Sequence, residues 1–223
     1  MKLLKKVLIK TLPVFTGYMV LGMGFGILMV KNGYGMSRIL LMSLFIYAGS
    51  MQYLGISLLT AGAGILQTAL TTLMVNARHL FYGISMVEKY KKMGKYKPYL
   101  IFSLTDETYS LVCNEGEEAE DKNFYLLVSV CNHFYWVIGS MLGGAVGHLI
   151  SFDTAGIEFS MTALFLTVFI EQWLGTKEHF PAVAGLSISL LCLLFFGKEK
   201  FLIPSMIFIT LSLILYRKKK REG

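Results

Sequence analysis

Charge is scarce in this chain. Only 16% of its 223 residues are Asp, Glu, Lys or Arg, 55% are hydrophobic, and the mean hydropathy is +0.60. A soluble domain is about one quarter charged, so this composition disfavours a soluble enzyme and points to a membrane protein. Cysteine is scarce as well. Cys113, Cys131 and Cys192 are odd in number, show no C-x-x-C spacing and lie in or beside apolar runs. Neither a disulfide framework nor a zinc site is indicated. The four histidines are equally dispersed, so no metal site and no cofactor is expected.

What the chain has in quantity is apolar sequence. Runs that can be drawn as helices cover roughly residues 13–30, 39–59, 65–87, 98–113, 124–150, 159–174, 181–196 and 201–216. A spanning helix needs about 20 residues, and several of these are short for a full crossing. The opening M-K-L-L-K-K resembles the start of a signal peptide. No small-residue cleavage site follows and the apolar run continues past Val30, so segment one is read as a membrane segment. The expected fold is all-α and polytopic, with about six full spans and two broken or re-entrant segments, in a single transmembrane domain over residues 1–223.

The net charge of +7 raises the question of nucleic acid, and the placement of the basic residues answers it. Lys2, Lys5, Lys6 and Lys10 precede segment one, Lys89, Lys91, Lys92, Lys95 and Lys97 follow segment three, and Arg217 to Arg221 end the chain. These clusters hold 14 of the 21 basic residues. Each abuts an apolar run, the positive-inside distribution of a membrane protein rather than a nucleic-acid face. The longest acidic run, N-E-G-E-E-A-E-D from Asn114, lies between segments four and five.

If segments one to three all crossed, the first two basic clusters would lie on opposite sides. Segment two is therefore expected to turn back, with A-G-S at 48–50 and Gln52 as the break. Segment four then carries the acidic loop outside, segment five returns, segment six dips from inside, and both termini are cytoplasmic. This order predicts an inverted repeat of halves 1–115 and 122–223. L-F-x6-Q-Y-L at Leu44 to Leu54 matches L-F-x6-Q-W-L at Leu164 to Leu174, at a constant offset of 120 residues.

Residues 65–84, drawn as one helix, separate into an apolar half and a polar half carrying Gln67, Thr71, Asn76, Arg78, His79 and Tyr82. Arg78 lies about 15 Å from the cytoplasmic boundary, at a depth where an uncompensated arginine costs at least about 2.5 kcal/mol. L-T-D-E-T-Y supplies Asp106 and Glu107 as partners at similar depth, reached through the Lys-rich loop. Two readings stand: the charges neutralise each other to hold the bundle, or they meet a charged substrate or a coupling ion. His79 is a further titratable group there.

Gly22, Gly24 and Gly26 lie inside an apolar run, which excludes a dinucleotide-binding loop. Gly139, Gly143 and Gly147 recur every fourth residue and predict close helix packing. Unwound backbone at Ala48, Gly49, Ser50 and Gln52, and at the matching Glu171 and Gln172, would expose amide and carbonyl groups able to hold a ligand's charged ends.

A-G-S-M-Q at 48–52, N-A-R-H-L-F-Y-G at 76–83 and L-T-D-E at 104–107 resemble the AzlC family, the larger subunit of bacterial exporters of branched-chain amino acids. The resemblance runs from the first segment through W-V-I-G-S-M-L-G at 136–143, with departures at Tyr53 and in G-F-G at 24–26. It implies export of valine, leucine, isoleucine or analogues across the bacterial cytoplasmic membrane, with a small AzlD-type membrane subunit as partner. The expected substrate-binding residues are Gly49, Ser50, Gln52, Asn76, Arg78 and Gln172, and the ion-coupling or counter-ion residues are Asp106, Glu107 and His79. The alternatives are an integral membrane enzyme using Asp106, Glu107 and His79, or a scaffold whose charges only hold subunits together. The enzyme lacks a nucleophile and base constellation.

Overall fold

The computed structural model describes residues 2–113, 122–149, 159, 162–163, 166, 169–170, 173–174 and 178–222, with backbone only for residues 2, 77, 78, 80, 81, 198–200, 202, 203, 206 and 217–222. Among the described residues every regular element is helical. They group into two compact units, Met1–Met161 and Thr162–Gly223. The first contains α1 (Lys2–Lys31), α2 (Met36–Phe45), α3 (Gly49–Thr60), α4 (Ile65–Val75), α5 (Ala77–Lys91), α6 (Lys97–Phe102), α7 (Asp106–Val112) and α8 (Lys122–Leu149). The second contains α9 (Phe180–Lys200) and α10 (Leu202–Glu222). Leu3–Lys31, Lys122–Leu149 and Phe180–Gly197 are long and apolar enough to cross a membrane.

The first unit is built on α1 and α8, and glycine explains how closely they lie. A Cβ at Gly139 would stand 2.7 Å from the Tyr18 carbonyl oxygen, and one at Gly22 would stand 2.9 Å from the Ser140 nitrogen. At Gly143 and Gly26 the added carbon would overlap the backbone of Met23 and of Ser140. Small residues thus let two backbones touch where apolar burial alone gives no drive to associate in lipid. The contacts also fix direction: Met19 meets Gly139, Met23 meets Gly143 and Ile27 meets Gly147. Numbers rise together, so α1 and α8 run parallel, and each pair is offset by the same 120 residues as the sequence repeat. The expected inverted relation is corrected here, because the first helices of the two halves run in the same sense.

α2 and α3 form a hairpin that enters from the end of α1 remote from the N-terminus. Met36 and Ile39 pack on Gly144, whereas the Ser43 carbonyl reaches His133, eleven positions nearer the start of α8. The return leg carries Tyr53 to the Leu21 carbonyl and Thr60 to Asn32. The turn-back expected of segment two is what the contacts describe, with the break at residues 46–48, just before the A-G-S glycine.

Segment four is a second hairpin, entering from the opposite end, and here the expected topology fails. Phe102 at the end of α6 reaches the His133 ring, and Thr105 and Glu107 meet Tyr18 near the middle of α1. α7 then descends: Val112 packs with Val7 and Phe124, and Lys89 Nζ donates to the Val112 and Cys113 carbonyls at 3.2 and 2.7 Å. Cys113 and Lys122, which flank the acidic run, therefore lie at the same end as the N-terminus and the Lys-rich loop. Segment four does not cross and segment five does not return. The physical reason is that only Lys and Arg set orientation; Asp and Glu contribute little, so an acidic loop carries no instruction to lie outside.

In the second unit the Phe180 and Tyr216 rings stack at 4.1 Å, which pairs the start of α9 with the far part of α10 in an antiparallel hairpin. Gly197, at φ 71°, kinks α9 near its end. Most of segment six, with Glu171 and Gln172, lies outside the described residues.

Candidate functional site

Three chain breaks meet at mid-height of the first unit. The first is Ile46 to Ala48, between α2 and α3. The second is Asn76, between α4 and α5, where φ −92° and ψ 4° leave the helical region. The third is Ser103 to Thr105, between α6 and α7. One cavity of about 670 Å³ touches all three, through Ile46, Tyr47 and Ala48, through Asn76, and through Phe102 and Leu104. Its walls are mostly apolar, with Ile84, Met86, Val87 and Ile101, and it extends to Tyr90 and Lys97 at the Lys-rich end. A volume of this size, apolar with a few polar groups, suits a small organic ligand.

Residues 65–87 were expected to form one amphipathic helix, and the Asn76 break divides it. Asn76 lacks a side-chain cap bond, its Oδ1 is buried without a hydrogen-bond partner, and its carbonyl lies 3.2 Å from His79 Nδ1. Asn76 and His79 both line the cavity. The Arg78 backbone lies in the first turn of α5 between them. Tyr82 stacks on Tyr109 at 4.5 Å and Lys89 meets Val112 and Cys113, so α5 and α7 run in the same sense. One turn before Tyr82, position 78 comes level with the start of α7, where Asp106 stands. The similar depth inferred for the two positions agrees with this register, although the intervening geometry is a hairpin rather than an antiparallel crossing.

The first turn of α7 is held by a polar network. Thr105 is its N-cap, accepting from the Thr108 backbone N–H at 3.3 Å, and Asp106 and Glu107 occupy the positions where the helix dipole favours negative charge. Tyr18 donates to Glu107 Oε2 at 2.7 Å and its hydroxyl lies 2.8 Å from Thr105 Oγ1. Asn132 Nδ2 donates to Thr108 Oγ1 at 3.0 Å, tying α7 to α8.

The other tip is held by aromatics. The Tyr47 ring stacks on His133 at 4.2 Å, and His133 in turn bonds Tyr99 and the Ser43 carbonyl. Gly49, Ser50 and Gln52 lie in the first turn of α3, with Ser50 and Gln52 buried. A Cβ at Gly49 would stand 3.2 Å from the Trp136 ring, whose Nε1 donates to Gln52 Oε1 at 2.9 Å. Gln52 Nε2 is buried without a partner.

The sequence-predicted residues therefore divide. Asn76 and His79 line the cavity; Gly49, Ser50 and Gln52 lie behind the Tyr47 and Ala48 wall; Asp106 and Glu107 open α7 beside it. The side chain of Arg78, and Gln172 entirely, lie outside the described residues. Sequence reasoning missed Tyr18, Tyr47, Thr105, Asn132, His133 and Trp136. Asn132 and His133 sit as a polar pair inside segment five, and Tyr47 directly precedes the break motif, so a signal for these was present. Tyr18 and Trp136 look like ordinary aromatic core.

Comparison with known proteins agrees with this membrane architecture. No solved structure matches the chain. The chain is 42% identical to the branched-chain amino acid transport protein AzlC of Bacillus subtilis, over 93% of this chain and 83% of that one. A membrane protein of Haemophilus influenzae is 43% identical over 92% of this chain and 85% of its own length. The inner membrane protein YgaZ of Escherichia coli is 27% identical over 73% and 70%. The family model described as AzlC protein matches residues 13–150, which hold all three breaks. The chain is a membrane protein that belongs to the AzlC family.

Proposed function

We propose that this protein is a secondary transporter, not an enzyme, that exports branched-chain amino acids across the cytoplasmic membrane with a small AzlD-type membrane subunit. The observation that carries the reading is the convergence of three helix breaks on one apolar cavity. Broken helices present free amide and carbonyl groups at mid-membrane, where a zwitterion needs partners for both charged ends and an apolar wall for its side chain. In this reading Arg78, with the α3 start at Gly49, Ser50 and Gln52, receives the carboxylate. Asp106 faces the ammonium, and Ile84, Val87 and Phe102 receive the branched side chain. Asn76 and His79 complete the polar rim. The halves 1–115 and 122–223 would be tandem copies, with Gln172 as the counterpart of Gln52.

The cavity reaches Tyr90 and Lys97, beside the Lys-rich loop. The positive-inside rule makes that the cytoplasmic end, so both the N-terminus and the cavity mouth face the cytoplasm, as loading for export requires. The test is efflux of labelled leucine from loaded vesicles containing the chain with and without the small subunit. Arg78→Ala should abolish efflux while the protein still elutes as a folded species; efflux at the normal rate would reject the role.

A further inference from the structure

A second cavity, of about 480 Å³, lies at the other end of the first unit, between the last turns of α1 and α3. The contacts of Tyr53 with Leu21 and of Thr60 with Asn32 rise together in number, so these helices run parallel and their C-terminal ends stand side by side. Each such end carries about −0.5 elementary charge from its carbonyl groups. Lys31, in the last turn of α1, is exposed and does not line the cavity, and Arg38 lies over the Tyr34 ring. The inner cavity is the reverse. It meets Ala48 and Asn76, the residues that open α3 and α5, and so faces N-terminal ends.

The polar side chains of the outer cavity are arranged as acceptors. Asn32 Nδ2 donates to the Leu28 carbonyl at 2.9 Å, which turns its Oδ1 towards Thr60. The Thr60 hydroxyl has one proton, and the Ile56 carbonyl at 2.8 Å is better placed to take it than Asn32 Oδ1 at 3.4 Å. Two acceptor oxygens are then left facing each other with no proton between them. Tyr53 likewise donates its proton to the Leu21 carbonyl, and Ser57 adds a hydroxyl one turn before Thr60. A group that fits brings several N–H donors and positive charge, as an ammonium does. Leu28 and Ile56 supply an apolar wall beside it, which a bare metal ion would leave unused.

We propose that this cavity is the exit site, in which the ammonium of the departing amino acid is held before release to the outside; this rests on the transporter reading above. α3 joins the two sites. Ala48 lies on the inner cavity and Tyr53 on the outer one, with only residues 49–52, a single helical turn, between them. That turn is closed by the Trp136 bond to Gln52 and by the Tyr53, Phe25 and Trp136 rings, whose successive centroids lie 5.9 and 6.3 Å apart. The helix ends change from positive at the inner cavity to negative at the outer one, so the two charged ends of a zwitterion are gripped in turn.

The test uses the full chain reconstituted with its small subunit, carrying Ser57→Cys as its single cysteine, or Ala63→Cys in the loop after α3 as the control. Two impermeant methanethiosulfonates are added from the outer face, one bearing trimethylammonium and the other sulfonate. Ser57→Cys should favour the cationic reagent by a larger rate ratio than Ala63→Cys does, and external leucine should slow its reaction while leaving the control unchanged. Ala61→Cys, at the cavity rim, gives the same comparison if Ser57→Cys does not assemble. A ratio equal to the control, or no protection by leucine, would overturn the assignment. Protection by sodium alone would make the cavity an ion site, and release of the small subunit on modification would make it a subunit seat; either also overturns it. Those results with leucine efflux intact in wild type leave the transporter reading standing, whereas absence of wild-type efflux rejects that reading and this inference with it.

Discussion

Gln52 shows how a single polar residue is accommodated in an apolar bundle. It is fully buried, its carbonyl oxygen taken by the Trp136 indole and its amide nitrogen unpartnered. Gln52→Leu would leave the indole N–H buried without an acceptor, a loss of about 1–3 kcal/mol. A lowered melting temperature in detergent is the expected readout, and an unchanged one would mean that another acceptor replaces it. Thr105 carries two loads, capping α7 and bonding Tyr18. Thr105→Val should cost about 1–2 kcal/mol through the lost cap, with Thr105→Ser close to wild type in the same melting assay. Asn76 and His79, which line the cavity, stood out in the sequence because they interrupt an apolar run. Tyr18 did not, since an aromatic in such a run carries no mark of what its hydroxyl meets.

At the scale of elements, the α1–α8 seam is the most demanding contact. Gly143→Val would force side-chain carbons into the Met23 backbone, and separating the helices would uncouple every residue that bridges them. We expect loss of the monodisperse species on size-exclusion chromatography. Gly17→Ala is the matched control, since nothing lies within 4 Å of the added carbon. The glycine stripe at spacing four was readable in advance because small residues on one helix face have a single packing use. The breaks at Asn76 and at Ser103 to Thr105 were harder to read. A one-residue departure from helical dihedrals costs little hydropathy and leaves the apolar pattern intact.

For the whole molecule, the two opposed hairpins place the Lys-rich loop and both flanks of the acidic run at one end. Single cysteines at Lys95 and Lys122, in a chain otherwise lacking cysteine, should react with an impermeant thiol reagent from the same side of the membrane. One at Ala63, between α3 and α4, should react from the other. Lys122 labelled together with Ala63 would reinstate the topology in which segment four crosses.

Composition, the placement of lysine and arginine, and the interrupted runs determined by themselves that this chain is helical, lies in a membrane, keeps its N-terminus with the Lys-rich loop and carries A-G-S and N-A-R-H motifs at mid-depth. These are properties of linear distance, because hydrophobic length and flanking charge act on each segment separately. Whether a short helix goes on across the bilayer or turns back was decided only by the tertiary structure. For α7 the deciding groups are Tyr18, Asn132 and Lys89, which lie far from it in the chain and become neighbours only once α1, α5 and α8 have packed.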